Sequence, residues 1–152
     1  NKVITDTFIK STFDVEKDRF IVKKDIACLV RFHVADVLDC NLKEITGISD
    51  IVFAQNFIFH MKRKIAKAAL NNIFSILNSK AALFIDGIDI DIRLNCTKRN
   101  NMEPLEYKIE EIHKEAMMAR GVGWPYSYWG LEPFSKTRND WKRRYSTIFL
   151  CS

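Results

Sequence analysis

The stretch from Ile48 to Leu77 constrains the fold of this chain more than any other. At about 100° per residue, its apolar side chains fall on one broad arc of a helical wheel. They are Ile51, Ala54, Phe57, Ile58, Met61, Ile65, Ala68, Ala69, Ile73 and Ile76. A helix with such an arc must bury it against other elements. The spacing therefore predicts a helical core around a long central helix over about residues 49–79.

Residues 51–85 contain no Asp or Glu at all. The basic residues of this block are Lys62, Arg63, Lys64, Lys67 and Lys80. A second basic block at 120–152 alternates with acidic blocks at 1–50 and 86–119, although the net charge is only +5. Either the blocks neutralise each other inside the fold or between copies of the chain, or the basic blocks meet on one face and bind an anion.

Length and composition predict one domain over residues 1–152, which is either whole or a piece of a longer chain. Of the 152 residues, 47% are hydrophobic and 12% aromatic, which is enough for one sizeable core. No apolar run reaches the roughly 20 residues that cross a bilayer, so we expect an intracellular protein, cytoplasmic or nuclear, with no membrane partner. The four cysteines lie far apart, without the spacing of a zinc site.

Beyond residue 81 the pattern changes to that of strands. The apolar run Leu83–Ile85, the turn pair Asp86-Gly87 and strict alternation through Leu94 predict a small β-hairpin over about 83–94. Other predicted elements are helices over Thr5–Phe13, Lys23–Leu38, Pro104 to about Arg120 and Ser135–Arg144, an extended piece at Phe20–Val22, and a last strand over Ser146–Leu150 that joins the hairpin. The expected class is α+β, predominantly helical.

The C-terminal segment is rich in aromatic residues. It holds Trp124, Tyr126, Tyr128, Trp129, Phe134, Trp141 and Tyr145. Prolines and glycines within 123–134 oppose a long helix and predict a packed aromatic loop. These rings either close the core beneath a solvated basic face or stand ready to stack on nucleic-acid bases.

The basic residues and aromatic rings together predict a non-catalytic nucleic-acid-binding domain, for DNA or RNA. Cations neutralise phosphates, and flat rings stack on unpaired bases. The candidate nucleic-acid-binding residues are Arg63, Lys64 and Lys67 on one patch, and Lys136, Arg138, Trp141, Lys142, Arg143, Arg144 and Tyr145 on the other.

Two other functions are compatible with the sequence. The first is a structural or assembly subunit that self-associates or binds acidic surfaces of another protein. The second is a metal-dependent nuclease that uses Asp86, Asp89 and Asp91, because carboxylates are the ligands of hard cations. No phosphate-cradling glycine loop, GxSxG or HExxH motif occurs. We therefore predict a binding protein rather than an enzyme, with no catalytic residue, no metal and no cofactor.

Overall fold

The computed structural model describes residues 4–121 and 134–151. Its backbone contacts fall into two compact units, one over Asn1–Val34 and one over Ala35–Ser152. The single domain expected from the sequence stays a prediction. No helix in the described ranges has both the length and the apolar character that a bilayer crossing requires. The aromatic loop predicted over 123–134, with Trp124 and Trp129, lies outside these ranges except for Phe134.

The first unit consists of short elements. They are α1 (Asp6–Thr12), β1 (Phe13–Glu16), β2 (Arg19–Val22) and α2 (Lys24–Ala27). The Thr5 hydroxyl caps α1 by accepting a hydrogen bond from the Phe8 N–H at 3.2 Å. β1 and β2 form an antiparallel hairpin, on which the ring of Phe13 meets those of Phe8 and Phe20 edge to face. The predicted first helix and the extended piece are confirmed.

The second unit is built on a four-stranded sheet. Its elements are α3 (Leu42–Thr46), β3 (Ser49–Ala54), α4 (Arg63–Ser75), β4 (Leu77–Ile85), α5 (Ile90–Arg99), β5 (Met102–Pro104), α6 (Ile109–Gly121), α7 (Trp141–Tyr145) and β6 (Ile148–Cys151), with a short helical turn at Ile58–His60. The strand order is β3-β4-β6-β5. β3 and β4 are parallel and are connected through α4, whereas β6 runs antiparallel to both of its neighbours.

The long central helix predicted over 49–79 is wrong, because this stretch forms a strand, a helix and the start of a second strand. Ile51, Val52 and Phe53 are β-branched or aromatic and suit a strand. Periodicity alone does not distinguish such a short apolar run from a buried helix. The helix begins only at Arg63 and buries residues 66, 69, 70 and 73 along one side. The class is mixed α+β, and the expected predominance of helix is wrong as well.

The β-hairpin predicted over about 83–94 is wrong in its second half. Leu83–Ile85 lies in β4, and Gly87 has a φ of +56°, as the turn requires. The chain then forms α5 instead of a second strand. The Asp89 carboxylate caps this helix by accepting a hydrogen bond from the Ile92 N–H at 3.1 Å. Ile92 in the first turn of α5 is buried in the core, and Ile88, just before the helix, packs against the same core.

β6 lies at the centre of the packing. Phe149 on this strand is fully buried, as are Leu83 of β4, Leu70 of α4 and Met102 of β5. β6 pairs with β4 through Ala82 opposite Leu150, so the predicted last strand is confirmed. It also pairs with β5 on its other side, so β5 is the edge strand there.

Three of the predicted helices are shorter than expected. Only α2 forms within Lys23–Leu38, and only α7 forms at the end of Ser135–Arg144. The helix expected to start at Pro104 begins at Ile109 instead, because Pro104 pairs with Phe149 in the sheet. At Pro104 the pairing with β6 uses the backbone that the first turn of the predicted helix would need.

A second, smaller core holds Tyr145 of α7 against α6. The Tyr145 ring meets the rings of Phe134 and His113 edge to face. Its buried hydroxyl accepts a hydrogen bond from the Phe134 N–H and lies 2.9 Å from His113 Nδ1. The tautomer of His113 decides which of the two groups donates in the second of these hydrogen bonds. Burial raises the pKa of Tyr145 above its ordinary value, and the Phe134 N–H opposes this rise.

We expect Tyr145→Phe to lower the free energy of unfolding by about 1–3 kcal/mol at neutral pH, because it leaves a buried N–H without its acceptor. The pKa of Tyr145 is higher in the folded than in the unfolded chain. The contribution of its protonated hydroxyl to the free energy of unfolding is therefore complete below pH 10.0, the ordinary pKa, and is lost as the pH rises through the higher folded pKa. Urea unfolding between about pH 7 and about pH 11 measures both effects. Tyr107→Phe is the control, because Tyr107 is exposed. Equal losses of stability above pH 10 in wild type and Tyr145→Phe would contradict this assignment.

Candidate functional site

The carboxyl ends of β3 and β4 form one edge of the sheet. The two parallel strands stay in register up to the pair Ala54 and Ile85. The chain therefore leaves both strands at the same level, through Gln55 and Asn56 after β3 and through Asp86 after β4. In parallel sheets joined by helical crossovers, ligands bind beyond the carboxyl ends of the strands. This edge, defined as residues 55–59 and 86–89, is the strand-end edge.

A hydrogen bond ties the two strand ends together. Asp86 Oδ1 accepts it from the backbone N–H of Asn56 at 3.0 Å. Asn56 has a φ of +58° and Gly87 a φ of +56°, so both chains turn sharply at this level. Asparagine and glycine are the residues that tolerate such a conformation best. The strand-end edge is therefore formed by two tight turns, which follow two paired strands and are joined by one carboxylate.

Gly87 is closely approached by Phe59 and Asn56 at the strand-end edge. A Cβ at this position would lie 3.2 Å from Phe59 Cδ1 and 3.5 Å from the Asn56 Cα. A side chain there would therefore press on the neighbouring turn. Phe59 is half-exposed, and Gln55 and Asn56 are exposed. An apolar ring and two amide side chains thus flank a backbone that a ligand can approach.

The helices behind the strand-end edge are joined at their starts. Arg63, the first residue of α4, donates a hydrogen bond from Nη1 to Asp89 Oδ2 at 3.0 Å. Asp89 also caps α5 with its other oxygen. Both side chains of this pair are exposed, so its energy is small. The contact nevertheless joins the starts of the two helices.

The basic residues predicted to bind nucleic acid lie in two places. Arg63, Lys64 and Lys67 are exposed on α4. In the C-terminal segment each basic candidate pairs with a carboxylate, in the ion pairs Lys136–Glu110, Arg138–Asp140, Lys142–Glu106, Arg143–Glu103 and Arg144–Asp91, with Arg144 also bound to Asp140. Most of these carboxylates belong to the acidic block at 86–119. The second basic block is therefore largely neutralised inside the fold.

The two predicted stacking rings belong to the smaller core. Tyr145 is buried, and Trp141 is half-buried with its ring edge to face against His113. The Lys136 ammonium lies 5.1 Å from the centre of the Trp141 ring. A groove of about 960 Å³ beside these residues carries both signs of charge along its walls. Its lining includes Asp91, Glu103, Lys98 and Lys142.

The three aspartates considered for a nuclease have separate partners. Asp86 binds the Asn56 N–H, Asp89 caps α5 and pairs with Arg63, and Asp91 pairs with Arg144 at 3.2 Å. Within residues 4–121 and 134–151, no group of three or more potential metal ligands converges. The carboxylates organise the turn after β4 and the start of α5.

Sequence reasoning named Asp86 and Gly87 for other roles and missed Gln55 and Asn56. The signal that was present is an apolar run followed by Gln-Asn, then a helix, then a second apolar run followed by Asp-Gly. Read as strand, helix and strand, this order predicts a parallel pair whose ends meet. The assignment of residues 49–54 to a helix hid that order.

A family model described as "CheR methyltransferase, SAM binding domain" matches residues 1–102 of the 152. The matched range includes both halves of the strand-end edge. No curated protein matches the chain. The family match overturns the prediction of a non-catalytic nucleic-acid-binding domain, together with the alternatives of an assembly subunit and a metal-dependent nuclease. The ion pairs of the second basic block give the physical reason, since clustered charge along the sequence is compensated in the fold.

Proposed function

The chain belongs to the family of CheR methyltransferase SAM-binding domains, and on this premise we propose that it binds S-adenosylmethionine at the strand-end edge and serves a methyl-transfer reaction. The family match carries the proposal. The geometry supports the location, because the matched range contains the one parallel strand pair of the described residues and both of its carboxyl ends.

The residues at the strand-end edge fit this cofactor. Glycine-rich loops cradle phosphates, and S-adenosylmethionine has none, so the lack of such a loop in the sequence does not oppose the proposal. Gly87 lets the Phe59 ring and the Asn56 backbone pack closely against the turn after β4. The Gln55 and Asn56 amides can donate and accept hydrogen bonds, as the hydroxyl, amino and carboxylate groups of the cofactor require.

When bound, S-adenosylmethionine supplies an electrophilic methyl group on a positively charged sulfur. The chain's own residues would bind and orient the cofactor. Phe59 offers an apolar ring for a planar base, and Asn56 and Gln55 offer polar groups that fix orientation. Asp86 keeps the two turns at a fixed separation through its bond to the Asn56 N–H. A bound cofactor reacts efficiently only when it is held in a fixed orientation toward its reaction partner.

We expect the chain to bind S-adenosylmethionine with a Kd below about 1 mM, the upper end of common substrate affinities. Asn56→Gly should weaken binding by about three- to tenfold, because it removes a neutral hydrogen-bonding side chain while glycine keeps the φ of +58°. Isothermal titration calorimetry measures both values.

Asn101→Gly is the matched control for this titration. Asn101 also has a positive φ, of 52°, but it follows the far end of α5. Its replacement should leave the affinity for S-adenosylmethionine within about twofold, because Asn101 lies at the end of α5 that is opposite to the strand-end edge. If wild type shows no heat of binding at millimolar cofactor, the proposal fails. If both variants lose affinity equally, the site lies elsewhere in the chain.

We also propose that the protein works inside the cell, in the cytoplasm or nucleus. Cys28 and Cys40 are exposed free thiols. Exposed free thiols are typical of proteins from reducing compartments.

A further inference from the structure

A cavity opens where β5 ends and β6 begins, and we call it the β5–β6 cavity. β4 and β5 both run antiparallel to β6, so their carboxyl ends point in the same direction. The N–H of Ile85, the last residue of β4, donates a hydrogen bond to the Thr147 oxygen at 2.8 Å. The N–H of Leu105, which follows β5, donates to the Ile148 oxygen at 2.9 Å. Leu105, Thr147 and Ile148 all line the cavity, which therefore lies beside the end of β4.

The walls of the β5–β6 cavity are largely apolar. Its volume is about 380 Å³, and four aliphatic side chains line it: Leu105, Ile109, Ile112 and Ile148. Ile109 is buried, whereas Leu105 is 40% exposed, so the apolar surface continues from the interior to the solvent. Tyr107, which is exposed, adds an aromatic ring. Cavities of about 300–1,000 Å³ with mostly apolar walls and a few polar groups are typical of small-molecule sites.

One hydroxyl group in the β5–β6 cavity is available to a ligand. Ser146 is buried, and its hydroxyl already bonds to the backbone oxygens of Leu105 and Ile148. Thr147 is exposed, and its hydroxyl makes no hydrogen bond within the described residues. A free hydroxyl can both donate and accept. Thr147 therefore offers a polar contact next to the end of β4.

The charged groups of the β5–β6 cavity leave one carboxylate uncompensated. Lys108, Glu111 and Glu115 line it, and Lys108 Nζ lies 3.4 Å from Glu111 Oε2. Within residues 4–121 and 134–151, Glu115 takes part in no ion pair and no side-chain hydrogen bond. Glu111 and Glu115 are four residues apart on α6, a spacing at which like charges repel each other. A cation bound beside Glu115 relieves this repulsion.

We propose that the β5–β6 cavity binds a small molecule that combines an apolar ring with a positively charged amino group. The aliphatic walls and Tyr107 contact the ring, and the Glu115 carboxylate binds the ammonium group. The volume of about 380 Å³ suits a free amine rather than a folded partner. This site is separate from the residues proposed to hold S-adenosylmethionine, so the inference does not rest on that function.

The test titrates phenethylamine, a ring with a short aminoalkyl chain, into isotope-labelled protein without S-adenosylmethionine. We expect a Kd on the order of 1 mM, since a ligand of so few atoms binds weakly. The amide NMR signals of Leu105, Thr147 and Glu115 should shift together along the titration. Phenylpropionate has the same ring but a carboxylate, and should bind at least about fivefold more weakly, because Glu115 repels it.

Glu115→Gln should weaken phenethylamine binding about fivefold, the upper end of the effect of one exposed ion pair. Glu110→Gln is the matched control on the same helix. Glu110 pairs with Lys136 and does not line the cavity, so the affinity should stay within about twofold. Both glutamates are exposed, so both variants should fold.

A lysine side chain of another protein is the other source of an ammonium group on an apolar stem. N-acetyl-lysine amide represents it, and should bind at least about fivefold more weakly than phenethylamine because it lacks the ring. Equal affinities for these two ligands would overturn the choice of a ring-bearing amine. The proposal is also overturned if millimolar phenethylamine shifts none of the three amides, if phenylpropionate binds equally well, or if the two glutamine variants lose affinity equally.

Discussion

Gly87→Ala should weaken the binding of S-adenosylmethionine about tenfold or more while the protein remains folded. The backbone at this position has a φ of +56°, which costs a residue with a Cβ about 1–2 kcal/mol. The new Cβ would also lie 3.2 Å from Phe59 Cδ1 and push on the turn that holds Asn56. Binding sites tolerate displacements of only about 0.5 Å. Calorimetric titration of the variant gives the affinity, and thermal unfolding confirms that it folds.

Gly47→Ala separates backbone strain from displacement at the site. Gly47 has a φ of 77° and a ψ of −169°, a conformation that is essentially restricted to glycine, yet a Cβ at this position would meet no atom within 4 Å. This variant should therefore be less stable than wild type but should bind the cofactor with unchanged affinity. An unchanged affinity in Gly87→Ala, or an equal loss in Gly47→Ala, would argue against a cofactor site at the strand-end edge.

Phe149→Ala should lower the free energy of unfolding by about 3–5 kcal/mol, the usual cost of deleting a fully buried aromatic ring. Phe149 is 0% exposed and packs between α4, β4 and β5 through the main core. Because domains of this size are stable by only about 5–15 kcal/mol, the variant should be near the limit of folding at 37 °C. Urea unfolding at 25 °C measures the difference.

Leu150→Ala provides the comparison for Phe149→Ala on the same strand. Leu150 faces the opposite side of the sheet and is 39% exposed. Its replacement should cost less than about 1 kcal/mol, because little buried surface is lost. If the two variants lost a similar free energy of unfolding, the burial of Phe149 would not be a main source of stability.

Local capping and pairing signals in the sequence predicted several elements correctly. Thr5 caps the first helix, and the last strand forms and pairs with β4 as expected. Of the predicted apolar arc, Ala69 and Ile73 are buried on α4, whereas Ile65 and Ala68 are exposed and Ala66 and Leu70 take their place in the core. The prediction of a helix at 49–54 was wrong, because Ile51 and Phe53 fit a helical arc as well as a strand. Only the pairing with β4, remote in sequence, decides between the two.

The strand-end edge could not be predicted from the sequence for the same reason. A hydrogen bond between Asp86 and Asn56 joins residues that are adjacent only after β3 and β4 pair. The alternation that followed Gly87 favoured a strand, and the Asp89 cap made it a helix. Asp86 and Asp89 can be found in the sequence, but the groups that they bind are known only from the fold.

The charge blocks also required the fold for their interpretation. The sequence left open whether basic and acidic blocks compensate each other or whether the basic blocks bind an anion. Lys142 with Glu106 and Arg143 with Glu103 show compensation between the blocks at 120–152 and 86–119. The pairs are mostly exposed, so they determine the surface potential more than they determine stability.

The position of β6 between β4 and β5 dictates an order of events as the chain is made. β3, α4 and β4 are consecutive and can pair as soon as they are synthesised, whereas β6 must wait until residues 148–151 have emerged. Until then β4 has one open edge and the core lacks Phe149. Contacts between distant parts of a chain form slowly, and exposed strand edges invite association with other chains. A chain that lacks β6 therefore exposes the β4 edge and part of the core, and both features favour aggregation.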